Sequence, residues 1–266
     1  MARRFKAAVF DWAGTVIDFG SFAPMGVFVE TFKQFNVPVT IADARKPMGL
    51  PKRDHIKSMM AEPHIAAAWT KAHGAAPDEA AIDRVYAVFV PLNVETVARY
   101  ADLIPGTADV VRELRSRGMK IGSTTGYTRA IMERVLPLAA AQGYVPDNLV
   151  CADDLQLGRP TPIGMYKCFL DLMVYPASAV VKVDDTEPGI AEGVAAGCVT
   201  VGVTLSGNDA GLTLQEFRAL SAHDRARISQ RAGAKLKAAG ANYVIDTIAD
   251  LPALLDRIER NSLADA

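Results

Sequence analysis

Short β-branched runs recur along this chain, each giving way to polar residues and a helical pattern, and this alternation limits the possible folds most. Ala7-Ala8-Val9-Phe10 is the first and ends in Asp11-Trp12-Ala13-Gly14-Thr15. Met119–Thr124, Ala179–Val183, Val199–Val203 and Tyr243–Ile245 follow. Runs this short and this uniformly apolar suit strands covered on both faces, as in parallel sheets. Strand alternating with helix predicts an α/β fold with a Rossmann-like, doubly wound parallel sheet. Ligands bind such sheets at the carboxyl ends of the strands. Asp11, Thr124-Thr125-Gly126 and Asp184-Asp185 fall there.

Between Ser21 and Tyr100 the texture changes. Val27, Phe28, Thr31, Phe32 and Phe35, then Ile82, Val85, Tyr86 and Phe89, recur at helical spacing, which predicts an all-helical insertion. The expected division is a discontinuous core, residues 1–20 and 101–266, carrying a helical cap over 21–100. Core helices are expected over Ala108–Arg117 and Ile248–Ile258, and the charged stretch Gly207–Ala239 reads as one or two solvated helices. The apolar stripe Val27–Phe35 has two readings, packing inside the cap or pairing with a second subunit.

A chain of 266 residues, half of them hydrophobic, can bury roughly 70–75% of its unfolded surface and needs no staples. The 29 Lys and Arg against 30 Asp and Glu, with no long basic run, argue against nucleic acid or an anionic membrane as partner and for a small molecule. Arg3, Arg4 and Lys6 precede an apolar stretch too short for a signal peptide, and no run of about 18 apolar residues is present to span a membrane. Cys151, Cys168 and Cys198 are widely spaced, without a CxxC pair, and read as buried thiols in a reducing, cytoplasmic setting. His64, His73 and His223 read as structural or exposed, Met59 and Met60 as cap packing, and Asp18, Asp153 and Asp154 as turn or capping residues.

The strand ends carry what a phosphoryl-transferring carboxylate needs. Asp11 is followed by Gly14-Thr15; hydroxyls and a glycine amide stand at Thr124-Thr125-Gly126; Arg159 supplies a cation; Asp184-Asp185 supply carboxylates for a divalent metal. In this order they resemble the four motifs of the haloacid dehalogenase superfamily, over nearly the whole chain if the insertion is its cap. Phosphatases of that superfamily carry Asp two residues after the nucleophile, to protonate an alkoxide. Here that position is Ala13, so either the enzyme is impaired or its leaving group needs no proton there.

The insertion holds Met48-Gly49-Leu50-Pro51-Lys52-Arg53-Asp54-His55. Pro51 suits the first turn of a helix, placing Lys52 at a positive helix end that, with Arg53, lowers the pKa of its amine. A partly neutral amine attacks carbonyls. His55 lies three residues on, on the same face, placed to shuttle a proton.

These segments, with Asp11–Thr15, Asp18–Pro24 and Thr124–Thr128, resemble the phosphonatase family, hydrolases that cleave the carbon–phosphorus bond of phosphonoacetaldehyde. The resemblance implies that Lys52 forms a Schiff base with the aldehyde and that Asp11 attacks phosphorus. The iminium then accepts the electrons of the breaking bond, and water hydrolyses the aspartyl phosphate. It further implies Mg²⁺ held by Asp11, the Ala13 carbonyl and Asp185. Thr125, Gly126 and Arg159 would bind the phosphoryl oxygens, Met48 would pack beside the imine, His55 and Tyr127 would assist proton transfer, and the assembly would be a homodimer. The chain departs from the pattern at Ser21, where many members have Cys, and at Gly189, where an Asp often follows the metal ligand. Asp184 or Glu187 is left to serve as the outer carboxylate. The alternative reading is a phosphatase of the same superfamily acting on a small phosphate ester; a non-catalytic binding module is the third.

Overall fold

The computed structural model describes residues 4–264; Arg3 lies outside them. Strands β1 (Ala7–Phe10), β2 (Lys120–Ser123), β3 (Val180–Asp184), β4 (Val199–Val203) and β5 (Tyr243–Ile245) form one parallel sheet in the order β2-β1-β3-β4-β5. Each coincides with an expected run to within a residue or two. Register pairs Phe10 with both Ser123 and Val183, so Asp11, Thr124 and Asp184 emerge level at one edge.

Between β1 and β2 the chain forms α1 (Ala23–Gln34), α2 (Ile41–Arg45), α3 (Lys52–Ala61), α4 (Pro63–His73), α5 (Glu79–Val97) and α6 (Thr107–Ser116). The last of these already covers the sheet. The sheet is completed by α7 (Arg129–Ala141), α8 (Ile163–Leu172), α9 (Glu187–Ala195), α10 (Leu214–Ala219), α11 (Ala222–Ala238) and α12 (Leu251–Ala264). The charged stretch thus becomes two helices, α10 and α11. The final helix starts as a short 3-10 turn, Ile248–Asp250.

Several apolar clusters hold these parts. Phe10, Trp12, Val181, Val183 and Val201 belong to the core around the sheet. Phe28, Phe32, Met59, Met60, Trp69 and Phe89 form another among the inserted helices, where Phe28 stacks on Phe89 with centroids 4.3 Å apart. Val27, Phe28, Thr31 and Phe32 are all buried, and α1 lies along α5. Most of the Val27–Phe35 stripe is therefore spent on internal packing, with Phe35 left half-buried at its end.

Where the chain leaves the core, Asp18 accepts the backbone N–H groups of Phe22 (3.0 Å) and Ala23 (2.8 Å), capping α1 as its residue type suggested. Asp18 and Ser21 adopt φ of +54° and +55°, a left-handed backbone that costs a side-chain-bearing residue about 1 kcal/mol or more. Asp153 accepts the Arg129 N–H at 2.7 Å and Asp154 that of Cys151 at 2.8 Å, both capping roles. His64 pairs with Asp43 and His73 stacks on Trp69. All three cysteines are free and buried; burial pushes the Cys151 and Cys198 thiols up to about 12 and Cys168 to about 11. Among the described residues no helix is long and apolar enough to cross a membrane.

Candidate active site

A small cavity lies between the sheet edge and the cap. Asp11, Ala13, Met48, Gly49, Lys52, Thr125, Gly126, Tyr127, Arg159 and Thr186 line it, around a volume of about 20 Å³, room for about one water molecule. A cleft of about 260 Å³ lies outside it, between Arg45 and Lys46 of the cap and Asn208 and Lys235 of the core, with Asp185, Thr186 and Met48 in its wall. Arg45 donates to the carbonyls of Gly20 (2.8 Å) and Asn208 (3.0 Å), drawing the cap onto the core.

Three carboxylates meet at the floor. Asp11, Asp184 and Asp185 are buried, with oxygens within 4.8 Å of one another. Burial and the Asp184 charge raise Asp11 to about 6, against the pull of Arg159 and Lys182. Asp185 is raised well above the carboxylate range by burial and by Asp11 and Asp184, while Thr15 Oγ1 (3.1 Å) and the Asn208 N–H (2.7 Å) orient it. Asp184 also loses hydration, but Arg159 and Lys182 hold it below the usual range. Crowded, desolvated carboxylates of this kind suit a hard divalent cation, which takes oxygen ligands and cancels their repulsion.

Of the two residues left open as outer carboxylate, Asp184 is fully buried beside Asp11 whereas Glu187 is exposed. Gly189 explains the exchange. A Cβ on it would lie 1.9 Å from Asp184 Oδ2, so side chains on 184 and 189 compete for one volume, and here residue 184 fills it.

Lys52 is the first residue of α3, with Pro51 just before the helix rather than within its first turn. Its amine is brought down to about 8 by burial, helped by Arg159 and opposed by Asp11 and Asp185. The direction matches the expectation from sequence and the cause does not. Arg53 turns outward to Asp83 (2.7 Å) and Glu79 (2.8 Å), so it contributes no cationic face to the site. Met48 Sδ stands 4.0 Å from Lys52 Nζ, and the Tyr127 ring lies 5.2 Å from it. The Tyr127 hydroxyl is buried without a hydrogen-bond partner.

His55 sits behind Lys52 in the cap, fully buried and stacked on Phe28 at 4.0 Å. Its Nε2 lies 2.8 Å from the Ala44 carbonyl, which can only accept, so Nε2 carries the hydrogen and Nδ1 presents its lone pair. Burial and the Lys52 charge hold the ring pKa well below the ordinary value; the ring is neutral.

Arg159 spends most of its donors inside the protein. Nε bonds Glu192 at 3.1 Å, one terminal nitrogen bonds Asp11 at 2.8 Å, and the other bonds the Thr124 carbonyl and hydroxyl, each at 2.8 Å. A guanidinium has five N–H groups, which leaves little of the fork expected for phosphoryl oxygens. Glu192 and Lys182 were not anticipated. The available signals were a lysine inside the apolar run Val180–Val183 and a glutamate among the small residues Ile190–Ala196.

Gly189→Ala is expected to cost about 1–3 kcal/mol through overpacking, read by urea denaturation. Combined with Asp184→Ala, which empties the contested volume, the loss should be smaller than the sum of the two single losses; strict additivity would show that the two positions do not compete.

Comparison with known proteins agrees with this geometry. Residues 5–197 match the family model of haloacid dehalogenase-like hydrolases. Phosphonoacetaldehyde hydrolase of Paraburkholderia phytofirmans is 52% identical over 257 residues, 97% of this chain and 96% of that protein. Its counterpart in Vibrio cholerae is 48% identical over 261 residues, again 97% and 96%. The crystal structure of a phosphonoacetaldehyde hydrolase-like protein from Oleispira antarctica superposes with a TM-score of 0.95 at 44% identity, covering 97% of this chain and 94% of that one. The chain therefore belongs to the phosphonoacetaldehyde hydrolase family, within the haloacid dehalogenase-like hydrolases.

Proposed function

We propose that the chain hydrolyses phosphonoacetaldehyde to acetaldehyde and phosphate through a Schiff base on Lys52 and an aspartyl phosphate on Asp11. The observation that carries this is the sharing of one small cavity by a buried amine brought down to about 8 and a carboxylate two residues before Ala13. A phosphate ester would need an acid at position 13, and alanine has none to offer.

The neutral Lys52 amine adds to the aldehyde, and loss of water gives the iminium. We assign proton transfer in this step to the Tyr127 hydroxyl, whose residue lines the cavity, with the His55 ring behind Lys52 assisting it. Asp11 then attacks phosphorus as the carbon–phosphorus bond breaks, its electron pair passing into the iminium to leave an enamine on Lys52. Protonation of the enamine carbon and hydrolysis release acetaldehyde and the free amine. Water cleaves the aspartyl phosphate, returning Asp11. Thr125, the Gly126 amide and the uncommitted Arg159 N–H receive the phosphoryl oxygens, and Met48 packs against the lysine stem. Mg²⁺ held by Asp11, the Ala13 carbonyl and Asp185, with Asp184 outside them, would neutralise phosphoryl charge as the nucleophile approaches. The inner cavity is too small for the substrate, so residues 21–100 act as a cap that parts from the core, residues 1–20 and 101–266, for entry and release.

Expected partners follow from the same reading. Ile163, Tyr166, Leu170, Met173 and Tyr175 are large apolar side chains left exposed on and just after α8, Leu170 at 73% and Met173 at 79%. A stripe of this kind is the surface on which we place the homodimer. Three unpaired buried thiols suit the reducing cytoplasm.

Borohydride added with phosphonoacetaldehyde should attach substrate carbon to Lys52, found by peptide mass, and Lys52→Arg should abolish both adduct and phosphate release. Full activity in that variant would sink the mechanism. Because only the neutral amine attacks, adduct formation should rise with pH through about 8. Chelation should stop phosphate release and Mg²⁺ restore it. Leu170→Asp should turn a dimer into a monomer in sedimentation; an unchanged dimer would move the interface elsewhere.

A further inference from the structure

Lys182 and Glu192 are buried charges that the reaction above does not use. Lys182 is fully buried in the middle of β3 and Glu192 is 2% exposed on the sheet-facing side of α9. Ionised groups of these types are almost never so buried unless paired, and their pairing is specific. Lys182 Nζ lies 2.7 Å from Thr124 Oγ1, 3.0 Å from Asp184 Oδ2 and 3.3 Å from Glu192 Oε2. Glu192 Oε2 in turn accepts Thr124 Oγ1 at 2.8 Å and Arg159 Nε at 3.1 Å. The packing leaves room for this carboxylate: a Cβ on Gly164 of α8 would stand 2.7 Å from Glu192 Oε1.

We propose that Glu192, backed by Lys182, is a positioning residue that sets the plane of the Arg159 guanidinium and thereby the aim of Asp11 at phosphorus. The geometry gives the reason. The Glu192 bond to Nε and the two Thr124 bonds to one terminal nitrogen fix the guanidinium at three points, and a rigid fork fixed at three points has no freedom in where its remaining nitrogen meets Asp11. Thr124 depends on the same pair. Its hydroxyl receives Lys182 and Arg159, so its own hydrogen must go to Glu192, whose charge accepts it. Glu192 also balances the second buried cation. Without it, Lys182 would keep Asp184 as its carboxylate partner and Arg159 would keep Asp11 and Asp184, so Asp184 would be drawn from the carboxylate cluster toward the two cations.

The proposal rests on the imine mechanism, and a two-stage assay separates the two. Imine formation needs Lys52 and the aldehyde, whereas phosphate release needs the aim of Asp11. In Glu192→Gln, which keeps shape and removes charge, borohydride should trap substrate on Lys52 as in the parent chain. Its kcat for phosphate release should fall about 100-fold, the scale of a misplacement near 1 Å, with KM within about 3-fold. Should that variant fail to fold by circular dichroism, Lys182→Gln/Glu192→Gln removes both charges together and is expected to behave likewise. Phosphate release within about 3-fold of the parent chain overturns the proposal. Loss of trapping together with phosphate release also overturns it, by making Glu192 a scaffold residue. A parent chain that releases phosphate without being trapped refutes the imine instead, and Glu192 is then judged on the kcat and KM of phosphate release alone.

Discussion

Four buried carboxylates, Asp11, Asp184, Asp185 and Glu192, stand at one end of the sheet against three buried basic side chains, Arg159, Lys182 and, from the cap, Lys52. Most of the site follows from that imbalance. Like charges at this distance in a medium poor in water cannot all stay ionised, which is why Asp11 and Asp185 are pushed upward while Asp184, with Arg159 and Lys182 against it, is not. The carboxylates raised by one another, Asp11 and Asp185, are those that a divalent ion would bind.

A parallel sheet is what makes the crowding possible. Each crossover returns the chain to the same edge, so residues far apart in sequence, Asp11, Thr124 and Asp184, leave adjacent strands at one level. The cap closes the remaining side. It brings the buried Lys52 amine near Asp11, whose charge opposes the fall of the amine's pKa that burial causes.

Much of this was legible in the residues. The apolar runs marked all five strands, and the shift to helical spacing marked the helices between β1 and β2. Misjudgements arose where a side chain's direction mattered. Arg53 adjoins Lys52 in sequence yet turns to Asp83 and Glu79 on the surface, since adjacent residues on a helix point about 100° apart. The Val27–Phe35 stripe was equally suited to a subunit interface or an internal core, and only the presence of α5 against it distinguishes them.

The sequence by itself determined the strand-and-helix alternation, the position of the insertion and the residue types at each strand end, because periodicity and local chemistry are properties of neighbouring residues. Tertiary structure alone decided that Asp184 rather than Glu187 joins the carboxylates, that Arg159 is committed to Asp11, Thr124 and Glu192, and that burial rather than Arg53 lowers the Lys52 pKa. Those outcomes depend on packed volume and on desolvation, which are set by how strands, helices and cap lie against one another and not by residue type alone.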